Sequence, residues 1–492
     1  MQGISAKALK GLARADLLQS RAFVNGAWRD ASQRQVVTDP ATGETIAEVA
    51  SCEVGMVDEA VAVAVQAQRS WRERPPLERG LLLRDWASAM RRNAGDLAVI
   101  MTAEQGKPLA ESHGEITYAA AFLDWFAAEG ERSYGETIPS HLPGSRLSVQ
   151  MQPIGVAAAV TPWNFPSAMI TRKAGAALAA GCAMIVKPAP VTPLSALALA
   201  RLAEEVGLPG GVLQIVTGEA APLSHRLMSH TDIRAFSFTG STEVGRLLLG
   251  QAAQTVKRAS LELGGHAPFI VFDDAPLAAA VAGCIAAKFA TSGQDCLAAN
   301  RIYVQRNSYQ RFVAAFSEAT ARLRVGHGLS EGTDIGPMTK ASVAEKCRQQ
   351  IAQAVAAGAR IVTGGQDSPL SGNFVQPTVL ADVIDAMTIA REETFGPIAA
   401  ILPFDDEDEV VARANATEMG LAAYVYTDDL RRAMRLTDQL EYGMVAVNTA
   451  KFTGAPIPFG GWKQSGLGRE GSRHGITEYL EAKYVCFGNL AA

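Results

Sequence analysis

The sequence has no Cys-x-x-Cys pair. Its six cysteines are scattered, and the closest two are Cys284 and Cys296. That pattern resembles neither a disulfide framework nor a zinc site, and it fits a reducing, cytoplasmic setting. The seven histidines form no His-Glu-x-x-His cluster, so no metal is expected. Charge of either sign is unclustered: the formal net charge is −5 over 492 residues, with no long run. Nucleic acids and membrane surfaces both demand concentrated positive charge, so neither is an expected partner. Long hydrophobic runs are also missing. The longest uncharged apolar-rich stretch, 174–186, lies between Lys173 and Lys187 and is too short to span a bilayer. Lys7, Lys10 and Arg14 near the amino terminus are followed by no apolar core, so no secretory signal is read there. A short mitochondrial-type presequence is the weaker alternative.

What is present is enough chain for two or three domains with substantial cores. Residues 21–50 read as short strands with turns at Asn25-Gly26 and Ala41-Thr42-Gly43. From Val54 to Glu129 the pattern is helical, with Leu82, Trp86 and Met90 spaced for one face. Residues 146–153 alternate like an exposed strand outside the main pattern. From Ile154 strands and helices alternate: strands at 155–160, 183–186, 213–216, 235–239 and 260–263, with helices between them. A second series runs through 267–272, 301–305, 360–363, 398–404, 422–426 and 444–448. Strands separated by single helices predict right-handed crossovers and parallel sheets, hence an α/β chain with two sheet domains. The last strand-like run, 479–487, is free to pair with the 146–153 strand or with another subunit.

The stretch 288–301 links a helical pattern beginning near Pro276 to the apolar run 302–304 and contains Gly293 and Cys296. Glycine lets such a connection bend sharply, and loops on a rigid scaffold commonly carry catalytic side chains. Cys296 is therefore a candidate nucleophile; the competing role is that of a small buried apolar residue. In 238–245 an apolar strand ends at Gly240, and Ser241 opens a helix, which would aim backbone N–H groups at a pyrophosphate. The formal Gly-x-Gly-x-x-Gly at 466–471 follows no strand and reads as a loop. Lys187, at the carboxyl end of a strand, could bond ribose hydroxyls or a phosphate, or be a solvated loop lysine. Asn164 stands between Pro162 and Pro166, and a rigidly held amide is a suitable oxyanion donor. Glu262 ends an apolar strand beside Gly264-Gly265. Partial desolvation there would raise its pKa and suit a general base, whereas backbone N–H partners would make it structural.

Taken together and in order, Pro162-Trp163-Asn164-Phe165-Pro166, Lys187-Pro188-Ala189, Phe238-Thr239-Gly240-Ser241, Glu262-Leu263-Gly264-Gly265, Gly293-Gln294-Asp295-Cys296 and 392–397 (Glu-Glu-Thr-Phe-Gly-Pro) carry a resemblance. The chain resembles the NAD(P)-dependent aldehyde dehydrogenase superfamily over essentially its whole length. Residues 168–173 and the run from Pro458 to Cys486 are most similar to the succinate-semialdehyde dehydrogenase branch. The resemblance implies that Cys296 attacks the aldehyde, that Asn164 holds the oxyanion and that Glu262 activates water against the thioester. It implies NAD or NADP held by Trp163, Lys187, Gly240, Ser241, Gly245, Glu393 and Phe395, and a substrate carboxylate held by Arg172 and Thr453. It also implies a cofactor-binding domain over 1–129 and 152–264 and a catalytic domain over 265–477. An oligomerisation arm over 130–151 and 478–492 would support a homodimer or homotetramer.

Three departures from that pattern bear on specificity. NAD-preferring members often carry Glu after Lys-Pro-Ala, where Pro190 stands, so less repels a 2′-phosphate. The semialdehyde branch usually has arginine six residues before the cysteine, where Ala290 stands; this opens room for a longer or less charged aldehyde. Ala298 stands where some members have a second cysteine, so no redox-switching disulfide is expected. The expected reaction is oxidation of succinic semialdehyde or a related ω-oxo acid; a bulkier or uncharged aldehyde is the alternative. A CoA-acylating exit is disfavoured by Glu262, and a non-catalytic binding protein on this scaffold is disfavoured by Cys296, Glu262 and Asn164 occurring together.

Overall fold

A computed structural model describes residues 1–489. Two sheets dominate it. The first has eight strands, in the order Ala27–Arg29, Ala22–Val24, Leu213–Ile215, Ala183–Lys187, Val156–Val160, Ile233–Thr239, Arg258–Glu262 and Gly466–Leu467. Its five central strands, from 213–215 to 258–262, are parallel. The second has seven, in the order Arg360–Thr363, Thr378–Ala381, Ile398–Phe404, Ala299–Gln305, Ala267–Val271, Ala422–Tyr426 and Met444–Val447.

The strand alternation sets the cores. Ala157, Ala159, Met184 and Val186 face one apolar cluster, while Val156, Ala158, Val160 and Ile185 face another. In the second sheet Phe269, Val271 and Val304 face one way, and Ile270, Tyr303 and Leu402 the other. Strands buried on both faces need near-continuous apolar runs, as these have. The helical pattern of 54–129 resolves into Val54–Glu73, Pro76–Arg92, Ala94–Gln105 and Leu109–Glu131. Gly106, at φ 99°, ends the third of these. Trp86 is fully buried, and its Nε1 donates to the Leu199 carbonyl at 3.0 Å.

The sheets are less uniformly parallel than the alternating pattern predicts. Strand 360–363 runs antiparallel to 378–381, a four-residue buried strand that the sequence reading passed over. Part of the glycine-rich 466–471 run is also extended: Gly466 and Leu467 pair with Glu262 and Leu261 and close an edge of the first sheet. The strand Leu480–Phe487 pairs with Arg146–Pro153 along its whole length, and Glu136–Ile138 completes a three-stranded antiparallel sheet. Residues 490–492 of the expected arm lie outside the described residues. Among the described residues no helix is long and apolar enough to cross a membrane.

Replacing Trp86 with alanine should destabilise the chain by about 3–5 kcal/mol, from lost burial and an orphaned carbonyl. The check is the urea midpoint at unchanged m-value; a shift near zero would contradict the packing role.

Candidate active site

The carboxyl ends of adjacent strands in the first sheet converge on one edge. Lys187 ends one strand, Asn164 follows the next, Thr239 ends a third with Gly240-Ser241 after it, and Glu262 ends a fourth. That edge is where open α/β sheets bind ligands. Cys296 comes from the second sheet, on the turn before Ala299–Gln305.

The turn is built from backbone that side chains rarely adopt. Thr291, Ser292 and Gly293 are all left-handed, at φ 51°, 58° and 74°. A Cβ on Gly293 would strike the Gly396 carbonyl, and one on Gly265 would strike the Cys296 carbonyl. Glycine is required at both places because two backbones touch. Hydrogen bonds then fix the turn: Ser292 Oγ accepts from Gly336 N at 2.9 Å, and Gln294 Oε1 accepts from Thr339 N at 2.9 Å. Asn164 Nδ2 donates to the Gln294 carbonyl at 3.0 Å, which seats the amide beside the cysteine turn.

Cys296 is half-buried and lines a cavity of about 460 Å³ together with Arg172 and Thr453. Its surroundings oppose a thiolate. Burial pushes the thiol well above its usual range, and the carboxylates of Asp295, Glu393 and Glu262 push it further. Glu262 is buried, and neither of its oxygens has a hydrogen-bond partner among the described residues. Burial, then the field of Glu470, holds it well above the ordinary carboxylate range. A buried carboxylate without N–H partners and with a raised pKa is a group that could take a proton.

Several residues of this site were not singled out from sequence. Glu470 is buried and bonded by Lys173 Nζ, and its Oε2 lies 3.0 Å from Arg172 Nε. Burial works against its ionisation, but Lys173 and Arg172 outweigh burial and hold it below its usual value. Arg172, expected to face a substrate carboxylate, thus stands at ion-pair distance from Glu470 without a hydrogen bond between them. Its Nη2 is buried with no hydrogen-bond partner among the described residues, and its guanidinium lies 3.9 Å from the Phe459 ring centroid. Lys107 Nζ donates to Glu115 at 2.7 Å and to the Asn164 carbonyl at 2.6 Å. Glu115 Oε1 in turn accepts from Ser167 N and Ala168 N at the start of helix Ala168–Ala180. The sequence signal for Glu470 sat inside the run read as a glycine loop. Lys107 and Glu115 carried no motif.

Glu393 and Phe395 come from the second half of the chain and meet the ends of the first sheet's strands through Gly265 and Trp163. Ser241 caps helix Thr242–Ala253, its Oγ accepting from Val244 N at 3.4 Å. At Gly245 an added Cβ would strike the Leu263 side chain, and at Gly240 the Phe238 ring. Trp163 meets Phe395 edge to face at 5.4 Å. Lys187 is fully buried and donates to the Pro188 carbonyl at 2.8 Å; burial pushes its pKa down to about 7. Glu393 Oε1 accepts from Gly265 N at 3.0 Å, and burial pushes it up to about 7. Gln35 Nε2 donates to the Pro190 carbonyl. A helix start at a strand end, a buried lysine with spare donors and a half-satisfied carboxylate fit a dinucleotide's phosphates and hydroxyls.

The sequence pattern of the aldehyde dehydrogenase family matches residues 28–485. A glutarate-semialdehyde dehydrogenase of Pseudomonas aeruginosa is 52% identical over 97% of this chain and 99% of its own. An Escherichia coli succinate-semialdehyde dehydrogenase [NADP(+)] is 51% identical over 96% of this chain and 98% of its own. The crystal structure of an aldehyde dehydrogenase from Brucella melitensis biovar abortus superposes with a TM-score of 0.96 at 52% identity, over 97% of this chain and 99% of that one. The chain belongs to the aldehyde dehydrogenase family.

In the cofactor-free protein, alkylation of Cys296 by iodoacetamide should quicken with pH, with a midpoint above the free-thiol value of about 8.5. Peptide mass spectrometry separates it from the exposed Cys486. A midpoint at or below that value would contradict the electrostatic account.

Proposed function

We propose that this protein oxidises an ω-oxo acid, such as succinic semialdehyde, to the dicarboxylate with NAD or NADP. The observation that carries this reading is the buried, unpartnered Nη2 of Arg172 in the cavity that Cys296 lines. A guanidinium N–H in a desolvated site is a strong carboxylate partner. Thr453 lines the same cavity. The names of the glutarate- and succinate-semialdehyde relatives support the same substrate class.

In this reading Cys296 adds to the aldehyde carbon, and the Asn164 amide with the Cys296 N–H receives the oxyanion. The bound cofactor would supply the hydride acceptor that oxidises this adduct to a thioester on Cys296. Glu262 then takes a proton from water, which attacks the thioester and frees the thiol. Trp163, Lys187, Gly240, Ser241, Gly245, Glu393 and Phe395 hold the cofactor. Because Glu262 must be ionised to act, hydrolysis speeds up as pH rises through its raised pKa.

The antiparallel strand pair 146–153 and 480–487, with Tyr484 and Phe487 exposed, serves as an oligomerisation arm giving a homodimer or homotetramer. The scattered cysteine pattern favours a cytoplasmic setting.

Glu262→Gln should give one burst of reduced cofactor per site and then stall, as followed by stopped-flow absorbance; wild-type turnover would remove its assignment as base. Arg172→Gln should lower kcat/KM for succinic semialdehyde by roughly tenfold or more relative to butyraldehyde, the scale of one charged hydrogen bond. Equal losses on both aldehydes would remove the anchor. Ending the chain before Leu480 should reduce the mass measured by light scattering; an unchanged mass would remove the arm's assignment.

A further inference from the structure

The cavity that contains Arg172 also contains two carboxylates, Glu111 and Asp295. Both also line the adjoining outer cavity of about 630 Å³, and Ala290 lines both spaces. They arrive from different elements. Glu111 projects from helix Leu109–Glu131 and accepts from Thr291 N at 2.9 Å; Asp295 precedes the nucleophile and accepts from Leu297 N at 3.0 Å.

Neither carboxylate has a committed cation. Lys107, whose field reaches both, is bound to Glu115 and to the Asn164 carbonyl. Arg172 stands at ion-pair distance from Glu470. Lys451 is exposed and lines both spaces but makes no ion pair with either carboxylate among the described residues, and Asp334, which lines the outer space, pairs with Arg324. Burial pushes Glu111 up to about 7 and raises Asp295 as well, the response of carboxylates that lack a counter-charge. Tyr118 lines the same cavity. Independently, the buried Nη2 of Arg172 has no partner. The cavity therefore has an anionic pole and a cationic pole, each incomplete.

We propose that the substrate is an ω-oxo acid that also carries an ammonium group, an amino-acid semialdehyde. Its carboxylate meets Arg172 and its ammonium meets Glu111 and Asp295. This rests on the ω-oxo acid reading above and narrows it. Ala290 belongs to the same logic, because an arginine there would add a cation to the space that receives the ammonium. The chemistry at the aldehyde carbon is unchanged; the added group only orients the substrate.

The test is a set of four aldehydes: butyraldehyde, succinic semialdehyde, γ-aminobutyraldehyde and aspartic semialdehyde, the α-amino derivative of succinic semialdehyde. Wild-type kcat/KM should be highest for aspartic semialdehyde, by roughly tenfold or more over succinic semialdehyde, the scale of one hydrogen bond between charged groups. Asp295→Asn and Glu111→Gln should each lower that ratio by a similar factor. Glu111→Gln lies on a separate helix and keeps an acceptor for Thr291 N, so the test survives if Asp295→Asn fails to fold. A ratio of one or less in wild type, or a ratio unmoved by both variants, would overturn the ammonium site. A preference for γ-aminobutyraldehyde over both acids would overturn the two-pole proposal. If succinic semialdehyde is no better than butyraldehyde, the ω-oxo acid reading itself fails. The pair γ-aminobutyraldehyde and butyraldehyde still reports separately on the carboxylates.

Discussion

The backbone at Gly265 lies against the carbonyl of Cys296 with no room for a Cβ. That contact joins the two halves of the chemistry. Gly265 follows the strand that ends in Glu262, and Cys296 precedes the strand that starts the other sheet's central ladder. The proposed base and the proposed nucleophile therefore approach each other through main chain, without relying on long side chains. Gly265 N also donates to Glu393, so a third segment is tied to the same point. Backbone close packing of this kind is rigid, and rigid placement is what an attack geometry requires. The left-handed run Thr291-Ser292-Gly293 carries the strain that lets the turn reach that contact.

The charges around this point are unevenly distributed. Glu262, Glu393, Asp295 and Glu111 are all pushed upward chiefly by burial, while Glu470 alone of these acids is held down, by Lys173 and Arg172. Glu393 and Glu111, pushed up to about 7, can exchange protons near neutrality; a carboxylate locked between two cations cannot. Glu470 is thus a fixed charge, and its field is the largest contribution after burial to the raised pKa of Glu262. The same surroundings disfavour the thiolate of Cys296 in the cofactor-free protein.

Much of this was legible in the sequence where the signal is local. The parallel ladders follow from apolar runs such as Val156–Val160 set between helical patterns, and the turns that end in Asn164, Ser241 and Glu262 follow from proline and glycine placed after them. The short strand Thr378–Ala381 was missed because four residues after Pro377 carry too little periodicity to separate strand from loop. Glu470 was missed for a different reason. Its role exists only because Lys173, almost three hundred residues earlier, reaches it. Glu111 and Lys107 are ordinary helix and helix-entry residues until folding brings them to the cysteine turn. What sequence spacing conveys is which backbone bends; which charges end up sharing a dry space is decided by tertiary packing.

Lys107 and Glu115 illustrate what such an unadvertised pair contributes. Two charges buried together cost much of what they gain, and well-packed apolar residues of similar size would often serve stability equally well. The geometry gives the pair another role. One end of Lys107 holds the Asn164 carbonyl, and Glu115 holds the first N–H groups of the helix that bears Arg172 and Lys173. Apolar replacements could fill the volume but could not fix those backbone groups in direction. The proposed oxyanion donor and the proposed carboxylate anchor are therefore positioned by one ion pair, and a small shift in that pair would move both together. Separation between the aldehyde end and the acid end of the substrate is thus set by the fold before any substrate arrives.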